Sequence, residues 1–414
     1  MTSPTVLLGS NAIFAANAGR VGDLDRRSAI DVTLRLRIGH HRRAPATGIT
    51  APAVIDAAQS DADISTVVSF AKMTGLTVVE TDALRRRIVL RGDASAFAKA
   101  FAVRLGRFKH DGTTRRSYNG PITLNPVLAG VVQAVIGLED ARAVRTFFQR
   151  GTAATPMTAL TPAALAAAYN FPPPPEGSGP SIAVIGFASE APMADVEAHT
   201  KDRKTPLSVI ETVKVCAPGE ADAATDNDRD GLAAMLQVLG ALAPEARLTV
   251  YLTAPTERGC VEALLAAVHA ARPHDVICLG WGMAEERFTG PTVRTIDSIL
   301  HDAATLGITV CAAAGDSGSA IEPGSDLAGV QYPGASPYVL ACGGTAPGPG
   351  FGRWSESVWN EGPQGAAGGG GVSALAAVPP WQAESRTPLS VRTHRAGRGV
   401  PDVAAYAARQ PGVS

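Results

Sequence analysis

The chain has 414 residues, with 37 basic and 38 acidic side chains and a formal net charge of -1. A near-neutral chain lacks the basic footprint of a nucleic-acid-binding protein, so we expect no nucleic-acid partner. A hydrophobic fraction of 45% with only 18% charged residues is enough for sizeable cores in two or three domains, and it excludes global disorder.

The sequence also lacks the signals of membrane insertion. No apolar run reaches the roughly 18 residues of a membrane span, and the N-terminus has no basic region followed by an apolar core. We therefore expect no membrane partner and leave localisation open. The five cysteines fit neither a disulfide framework nor a zinc-ligand pattern, and we expect buried free thiols at Cys216, Cys260, Cys278, Cys311 and Cys342.

The region from residue 31 to residue 110 has the pattern of a small α+β unit. Alternating apolar and polar residues predict strands, and apolar residues at helical spacing predict two helices. The order βαββαβ is typical of a ferredoxin-like fold, in which a small antiparallel sheet lies under two helices. The predicted elements are a strand over 32–38, a helix from Asp61 or Asp63 to Gly75, strands over 76–80 and 87–91, a helix from Asp93, and a strand over 101–108.

A change in composition separates this unit from a second region. Residues 151–162 are small, polar and proline-containing, as expected of an exposed linker. Near-continuous apolar strands then alternate with helical patterns, which predicts an α/β domain with a parallel sheet. The strands are predicted at 181–187, 207–215, 247–253, 275–281 and 307–315, and helices at 259–271 and 291–306.

Seven short segments of the second region stand out by their content of glycine, proline and aromatic residues. They are LTPAALAAAYNFP (160–172), GALAPEARLTVY (240–251), AAAGDSGSA (312–320), YPGASPYVLACGGT (332–345), SVWNEG (357–362), GGGGVS (368–373) and GRGVPDVAAYA (397–407).

In this order, the seven segments resemble the sedolisin family of serine-carboxyl peptidases, and within it the kumamolisin-like proteins that carry an N-terminal activation domain. The resemblance implies an α/β fold: a subtilisin-like parallel sheet with helices on both faces, preceded by a ferredoxin-like α+β pro-domain. It implies that residues 1–150 are the activation domain, that 151–162 are a linker, and that 163–414 are a peptidase domain lacking its C-terminal part.

The family's reaction is peptide-bond hydrolysis at acidic pH. A serine attacks, a glutamate accepts its proton, one aspartate orients the glutamate, and a second, protonated aspartate donates to the oxyanion. The resemblance places Asp316 at the oxyanion position; the alternative is that its carboxyl group only bonds its own turn. It also places Gly280, Trp281 and Gly282 at the strand that lines the substrate cleft, with core packing as the alternative for Trp281.

The two proton-transfer positions of the family helix fall on Gly231 and Met235, which can act neither as acid nor as base. Met235 continues an apolar stripe at helical spacing, so we expect it in the core. Asp226 and Asp230 are also four residues apart, but the alternative for this segment is a solvated helix start with Asp228 as its cap. Their register differs by one residue, which turns a side chain by about 100° around the helix and makes substitution by this pair the weaker alternative.

The nucleophile and the metal site have no counterpart in the sequence. The family's Gly-Thr-Ser segment and its calcium ligands lie beyond the stretch that corresponds to residues 400–404, and Ser414 lacks the required context. We therefore expect no cofactor. Ser317, Ser319 and Ser373 are interpreted as structural, and the pair His269 and His274 lacks a metal-site motif.

These observations favour a catalytically inactive pseudopeptidase with a vestigial peptide-binding cleft, whose partners are a peptide or protein segment and its own pro-domain. The alternative is an active acid serine endopeptidase whose C-terminal part is missing from this sequence. A plain binding or structural module is a third hypothesis. The family typically works outside the cell or in acidic compartments.

Overall fold

The computed structural model describes residues 4–37, 57–148, 161–172, 179–203, 209–216, 223–347, 355–362 and 365–408. Almost all of the predicted linker, and Ser414, lie outside the described residues. The domain limits at residues 150 and 162 therefore stay predictions.

The described residues form strands and helices in mixed order along the chain. The strands are β1 (Thr5–Val6), β2 (Gly19–Asp23), β3 (Ala29–Leu36), β4 (Thr77–Asp82), β5 (Arg87–Asp93), β6 (Arg104–His110), β7 (Thr113–Asn119), β8 (Thr123–Leu124), β9 (Val132–Ile136), β10 (Arg145–Thr146), β11 (Ser181–Phe187), β12 (Val209–Lys214), β13 (Arg247–Thr253), β14 (Val276–Leu279), β15 (Trp281–Ala284), β16 (Thr309–Ala313), β17 (Gln331–Tyr332), β18 (Leu340–Pro347), β19 (Glu356–Val358), β20 (Gly371–Val372), β21 (Gly399–Val400) and β22 (Val403–Tyr406). The helices are α1 (Ile13–Asn17), α2 (Ala57–Thr74), α3 (Ala94–Ala100), α4 (Pro126–Ala129), α5 (Pro162–Ala168), α6 (Met193–Arg203), α7 (Asp226–Leu242), α8 (Glu257–Val268) and α9 (Gly290–Thr305). None of these helices is long and apolar enough to cross a membrane.

The chain divides into two compact units. The first comprises Met1–Ala143 together with Thr256–Leu265 and Glu286–Leu306, and the second comprises Val144–Pro255, Ala266–Glu285 and Gly307–Ser414.

The first unit contains the ferredoxin-like sheet, but with a different fourth strand from the one predicted. The sheet has the antiparallel order β4-β5-β3-β9, so its fourth strand is Val132–Ile136. The predicted strand over 101–108 was wrong as a member of this sheet, because β6 pairs with β2 and β7 in a separate sheet. Asp111 and Gly112, both at positive φ, form the tight turn between β6 and β7 and so commit β6 to that hairpin.

Within the same unit, two adjacent arginines, the second of them the first residue of β5, form ion pairs with residues of Thr256–Leu265 and Glu286–Leu306. Arg86 Nη2 lies 2.7 Å from Asp302 Oδ2, and Arg87 Nε lies 2.6 Å from Glu262 Oε2. All four side chains are at most 16% exposed, so each ion pair is shielded from water and geometrically restrained.

The second unit is built on a mainly parallel sheet, as the α/β prediction required. Its order is β12-β13-β11-β14-β16-β18, extended by β22 in parallel and by β19 antiparallel to β18. Helix α7 covers part of this sheet because Leu232 and Leu236 are buried with Val184 and Val250 in one cluster. The predicted fold class is thus confirmed.

One face of this sheet carries three partly exposed cysteines, so the expectation of buried thiols was wrong for Cys278, Cys311 and Cys342. Cys278 and Cys311 are partners in the register of β14 and β16, and Cys342 lies two residues beyond Leu340, the partner of Cys311. Because side chains alternate along a strand, the three thiols share a face. Leu340 on the same face is 38% exposed.

Candidate functional site

The site begins at the N-terminus of helix α7, where a capping box fixes the first turn. The Thr225 side chain accepts from the backbone N–H of Asp228, and the Asp228 side chain accepts from the backbone N–H of Thr225 at 2.8 Å. Asp228 was expected as a possible cap; the structure instead makes Thr225 the N-cap and Asp228 the third helical residue. This places a carboxylate that is only 1% exposed at the end of the helix.

An extended segment of the chain itself, Val144–Phe148, lies along the predicted cleft strand. Arg145 and Thr146 of β10 pair antiparallel with Gly282 and Trp281 of β15. The backbone N–H of Phe147 donates to the carbonyl of Gly280 at 2.9 Å. The segment therefore adds a short strand to β15, which is how many proteins bind extended peptides.

Arg145 of this segment is bound by the predicted oxyanion residue. Its guanidinium donates through Nη1 to Asp316 Oδ2 at 3.1 Å and through Nη2 to the other carboxylate oxygen and to Ser317 Oγ, the latter at 3.0 Å. Asp316 is only 2% exposed. The guanidinium also lies 4.9 Å from the ring centre of Phe147, a cation–π contact within the segment.

The turn that presents Asp316 follows β16 directly. Gly315 has φ 114° and Gly318 has φ 61°, conformations that L side chains rarely adopt, so glycine at both ends lets the chain reverse around Asp316 and Ser317. The carboxyl end of a parallel strand is also where α/β folds place their sites.

Thr146 points to helix α7 and fills the space next to Gly231, the position that the resemblance assigns to the family's glutamate. Its hydroxyl donates to Asp228 Oδ1 at 2.8 Å. A Cβ at Gly231 would lie 2.4 Å from the methyl carbon of Thr146 and 2.8 Å from Cβ of Phe148. The lack of a side chain at position 231 therefore makes room for the segment. Asn227 adds a hydrogen bond of 2.9 Å from its side-chain amide to the carbonyl of Phe148.

Met235, the second position that the resemblance assigns to proton transfer, is packed with apolar atoms. Met235 lies in the cluster around Leu232 and Leu236, and its Cε would be 2.3 Å from a Cβ at Gly280. Gly186 of β11 is enclosed by the same cluster, since a Cβ there would lie 2.7 Å from Leu232 Cδ2. Asp226 is exposed and Asp230 half-buried at the start of the helix.

The three residues predicted to line the cleft take different positions. Gly280 and Gly282 lie against the segment, and a Cβ at Gly282 would be 2.9 Å from the Phe147 ring. The Trp281 side chain is 1% exposed and packs on Phe187 with ring centroids 5.5 Å apart. Trp281 thus takes part in β10 pairing through its backbone and in the core through its ring.

The remaining polar residues considered from the sequence have structural contacts. Ser373 donates to Glu285 at 2.5 Å and accepts from the backbone N–H of Ala376 at 2.8 Å. Burial raises the pKa of Glu285. Both ring nitrogens of His274 are within hydrogen-bond distance of hydroxyls, Ser181 at 2.9 Å and Tyr251 at 2.8 Å.

Among the described residues, no group of three or more histidine, cysteine, aspartate or glutamate side chains is placed to hold a metal ion.

Sequence reasoning missed Arg145, Thr146 and Phe147 altogether and assigned Asp228 only a capping role. The Thr-x-x-Asp spacing of Thr225 and Asp228 is a visible capping-box signal. The contact of Arg145 with Asp316 spans 171 residues and has no local sequence signal.

A mainly parallel α/β sheet with a Gly-Asp-Ser-Gly turn at a strand end, preceded by a ferredoxin-like unit, defines a subtilisin-like peptidase scaffold with a pro-domain. The profile described as "Pro-kumamolisin, activation domain" matches residues 56–141. Kumamolisin of Bacillus sp. (strain MN-32) is 36% identical over 365 residues, which are 83% of this chain and 65% of that protein. Xanthomonalisin of Xanthomonas sp. (strain T-22) is 26% identical, over 85% of this chain and 48% of its own length.

A solved structure supports the same fold. Pseudomonas sedolisin, a serine-carboxyl proteinase complexed with two molecules of pseudo-iodotyrostatin, aligns with a TM-score of 0.53 and 23% identity, covering 64% of this chain and 73% of its own. The chain belongs to the sedolisin family, among its kumamolisin-like members. It spans between 48% and 67% of the length of the curated relatives it matches.

Proposed function

We propose that this chain is a non-catalytic member of the sedolisin family, a pseudopeptidase whose cleft binds extended peptide segments. Its homologues are serine-carboxyl peptidases, and peptide hydrolysis in that family requires a base, an orienting acid and a nucleophile that act as a unit. This chain has Gly231 and Met235 at the first two positions.

The observation that carries the proposal is the filling of the space next to position 231. Thr146 and Phe148 occupy the volume that a glutamate side chain would need. Met235 is packed among leucines, so the carboxylate that would orient such a base is absent as well. Asp316, the remaining group of the family set, is engaged by Arg145 and Ser317.

The cleft nevertheless keeps the features of a peptide-binding groove. The β15 backbone pairs with an extended segment, and Asp316, Asp228 and Asn227 contact three successive parts of it. Main-chain pairing supplies affinity and the side-chain contacts supply selectivity. Binding partners of this class are peptides and protein segments, among them the chain's own segment Val144–Phe148.

The proposal predicts that the purified full chain hydrolyses no peptide. A fluorogenic peptide library should be incubated between pH 2 and pH 7 with the wild-type chain and with Arg145→Ala, which weakens occupation of the cleft. Pseudomonas sedolisin serves as the positive control and heat-denatured chain as the blank. We expect turnover at the level of the blank for both variants. Turnover above it would instead support an acid serine endopeptidase.

A further inference from the structure

We infer that the turn at Asp316 and Ser317 is a recognition site for an arginine side chain, and that the cleft selects extended peptides with arginine, a small hydroxyl residue and an aromatic residue in succession. The inference rests on the proposed peptide-binding function and names the ligand that this cleft takes. The chain's own segment Arg145–Phe147 is the resident example of that ligand.

The first reason is the geometry of the ion pair. Two nitrogens of the Arg145 guanidinium face the two oxygens of Asp316, and Nη2 also reaches Ser317 Oγ at 3.0 Å. Arginine offers a planar fork that fits a carboxylate with two parallel hydrogen bonds, whereas lysine offers a single ammonium group. A carboxylate that is 2% exposed depends strongly on such a partner, because an unpaired buried charge is costly.

The second reason is that the next two residues have their own contacts. The residue after arginine faces Asp228 and the space at Gly231, which admit a hydroxyl and a methyl group but no large side chain. The following residue places its ring under the guanidinium at 4.9 Å and against Gly282. Side chains alternate along an extended peptide, so arginine and the aromatic residue lie on one side and threonine on the other.

The third reason is the role that this arrangement gives Asp316. A family oxyanion aspartate must be protonated in order to donate a hydrogen bond. In this chain the same carboxyl group accepts hydrogen bonds from the Arg145 guanidinium and from the Ser317 hydroxyl, so it is placed as an acceptor. The loss of the base position and the ion pair at Asp316 thus both favour peptide capture over hydrolysis.

The test is binding of a labelled peptide, AVRTFFQ, which has the sequence of residues 143–149. Its fluorescence anisotropy should be titrated with the full chain carrying Arg145→Ala, because this substitution weakens the competing segment. We expect binding at least about tenfold tighter than to the wild-type chain. Replacing the peptide's arginine by citrulline should weaken binding at least about tenfold, and replacement by lysine should have a smaller effect.

A second substitution locates the site. Asp316→Asn in the Arg145→Ala background should lower affinity for the arginine peptide and leave the weak affinity for the citrulline peptide unchanged. Arg26→Ala replaces an exposed arginine in the first unit and is the matched control for Arg145→Ala. Its affinity for the arginine peptide should equal that of the wild-type chain. Circular dichroism establishes folding, and Arg145→Lys replaces Arg145→Ala if the latter does not fold.

The outcomes separate this inference from the proposed function. Equal affinity for the arginine and citrulline peptides, or absence of binding to the folded Arg145 variants, overturns arginine recognition. Cleavage of the bound peptide, read by mass spectrometry after incubation, would overturn the non-catalytic proposal while leaving arginine recognition intact.

Discussion

At Gly231, one missing side chain decides what lies in the cleft. The sequence shows the glycine, and the resemblance implies a glutamate at this position in the active family. Only the structure shows that Thr146 and Phe148 fill the space. The prediction of lost proton transfer therefore follows from glycine at position 231. That Thr146 and Phe148 fill the space follows from a contact between distant parts of the chain, which only the folded structure shows.

Gly231→Ala tests this contact. Alanine favours the helix by up to about 1 kcal/mol. Its Cβ would lie 2.4 Å from the Thr146 methyl carbon, and overpacking of that kind costs about 1–3 kcal/mol. We expect a net loss of stability in chemical denaturation. The loss should be smaller in a Thr146→Ser background, where that methyl group is absent. Equal losses in both backgrounds would show that the two positions are not coupled.

Glu139 gives the first unit a pH-dependent stability. Burial raises the pKa of Glu139 to about 7, partly offset by a hydrogen bond from Ser117 and increased by the nearby Glu257. The folded state therefore holds a proton that the unfolded state releases near pH 4.5. The stabilisation is complete below that pH and is lost as the pH rises through about 7.

We expect the free energy of unfolding of the wild-type chain to fall between pH 4 and pH 8, with a contribution from Glu139 on the order of 3 kcal/mol. Glu139→Gln keeps the shape without the ionisation and should remove this part of the fall. Urea denaturation at several pH values measures the difference between the two proteins. Parallel pH profiles would contradict the assignment.

Among the elements, strands of the parallel sheet were predicted best. The predicted ranges 181–187 and 247–253 coincide with β11 and β13, because a strand buried on both faces is an uninterrupted apolar run. The prediction failed for β6, where the sequence around Phe101–Phe108 fits a strand but does not show its partner. The Asp111-Gly112 dipeptide is the signal that would have assigned the β6–β7 hairpin.

The cysteines on the sheet face formed by β14, β16 and β18 should react with a thiol reagent at different rates from buried Cys260. Cys278, Cys311 and Cys342 are partly exposed, whereas Cys260 is fully buried. A hydrogen bond from Cys342 lowers the pKa of Cys311, and burial raises that of Cys260. Because the thiolate is the reactive form, Cys311 should react first with a disulfide reagent in the native protein.

The measurement is the rate of reaction of the native chain with a chromogenic aryl disulfide near pH 7. Cys311→Ser should remove the fastest phase. Cys260→Ser is the matched control and should leave the rate of that phase unchanged. An unchanged fast phase in Cys311→Ser would show that the hydrogen-bonded pair does not activate Cys311.

At the scale of the whole molecule, the family and fold class followed from seven ordered segments, and the comparisons confirm both. The candidate site was only half predictable. Asp316 and the glycines of β15 lie within recognisable segments, whereas Arg145 lies in a stretch without any distinctive pattern. The position of Val144–Phe148 in the cleft depends on contacts with residues far away in the sequence. Neither composition nor periodicity predicts such contacts.

Because β10 is covalently attached, an external peptide must reach a high concentration before it displaces β10 from the cleft. A tethered segment competes with an effective concentration of about millimolar for a short flexible connection. A free peptide of the same sequence at micromolar concentration would leave the intact groove largely self-occupied. Cutting the chain on one side of Val144–Phe148 would convert this internal competitor into an end that can dissociate, and the groove would then respond to micromolar ligand.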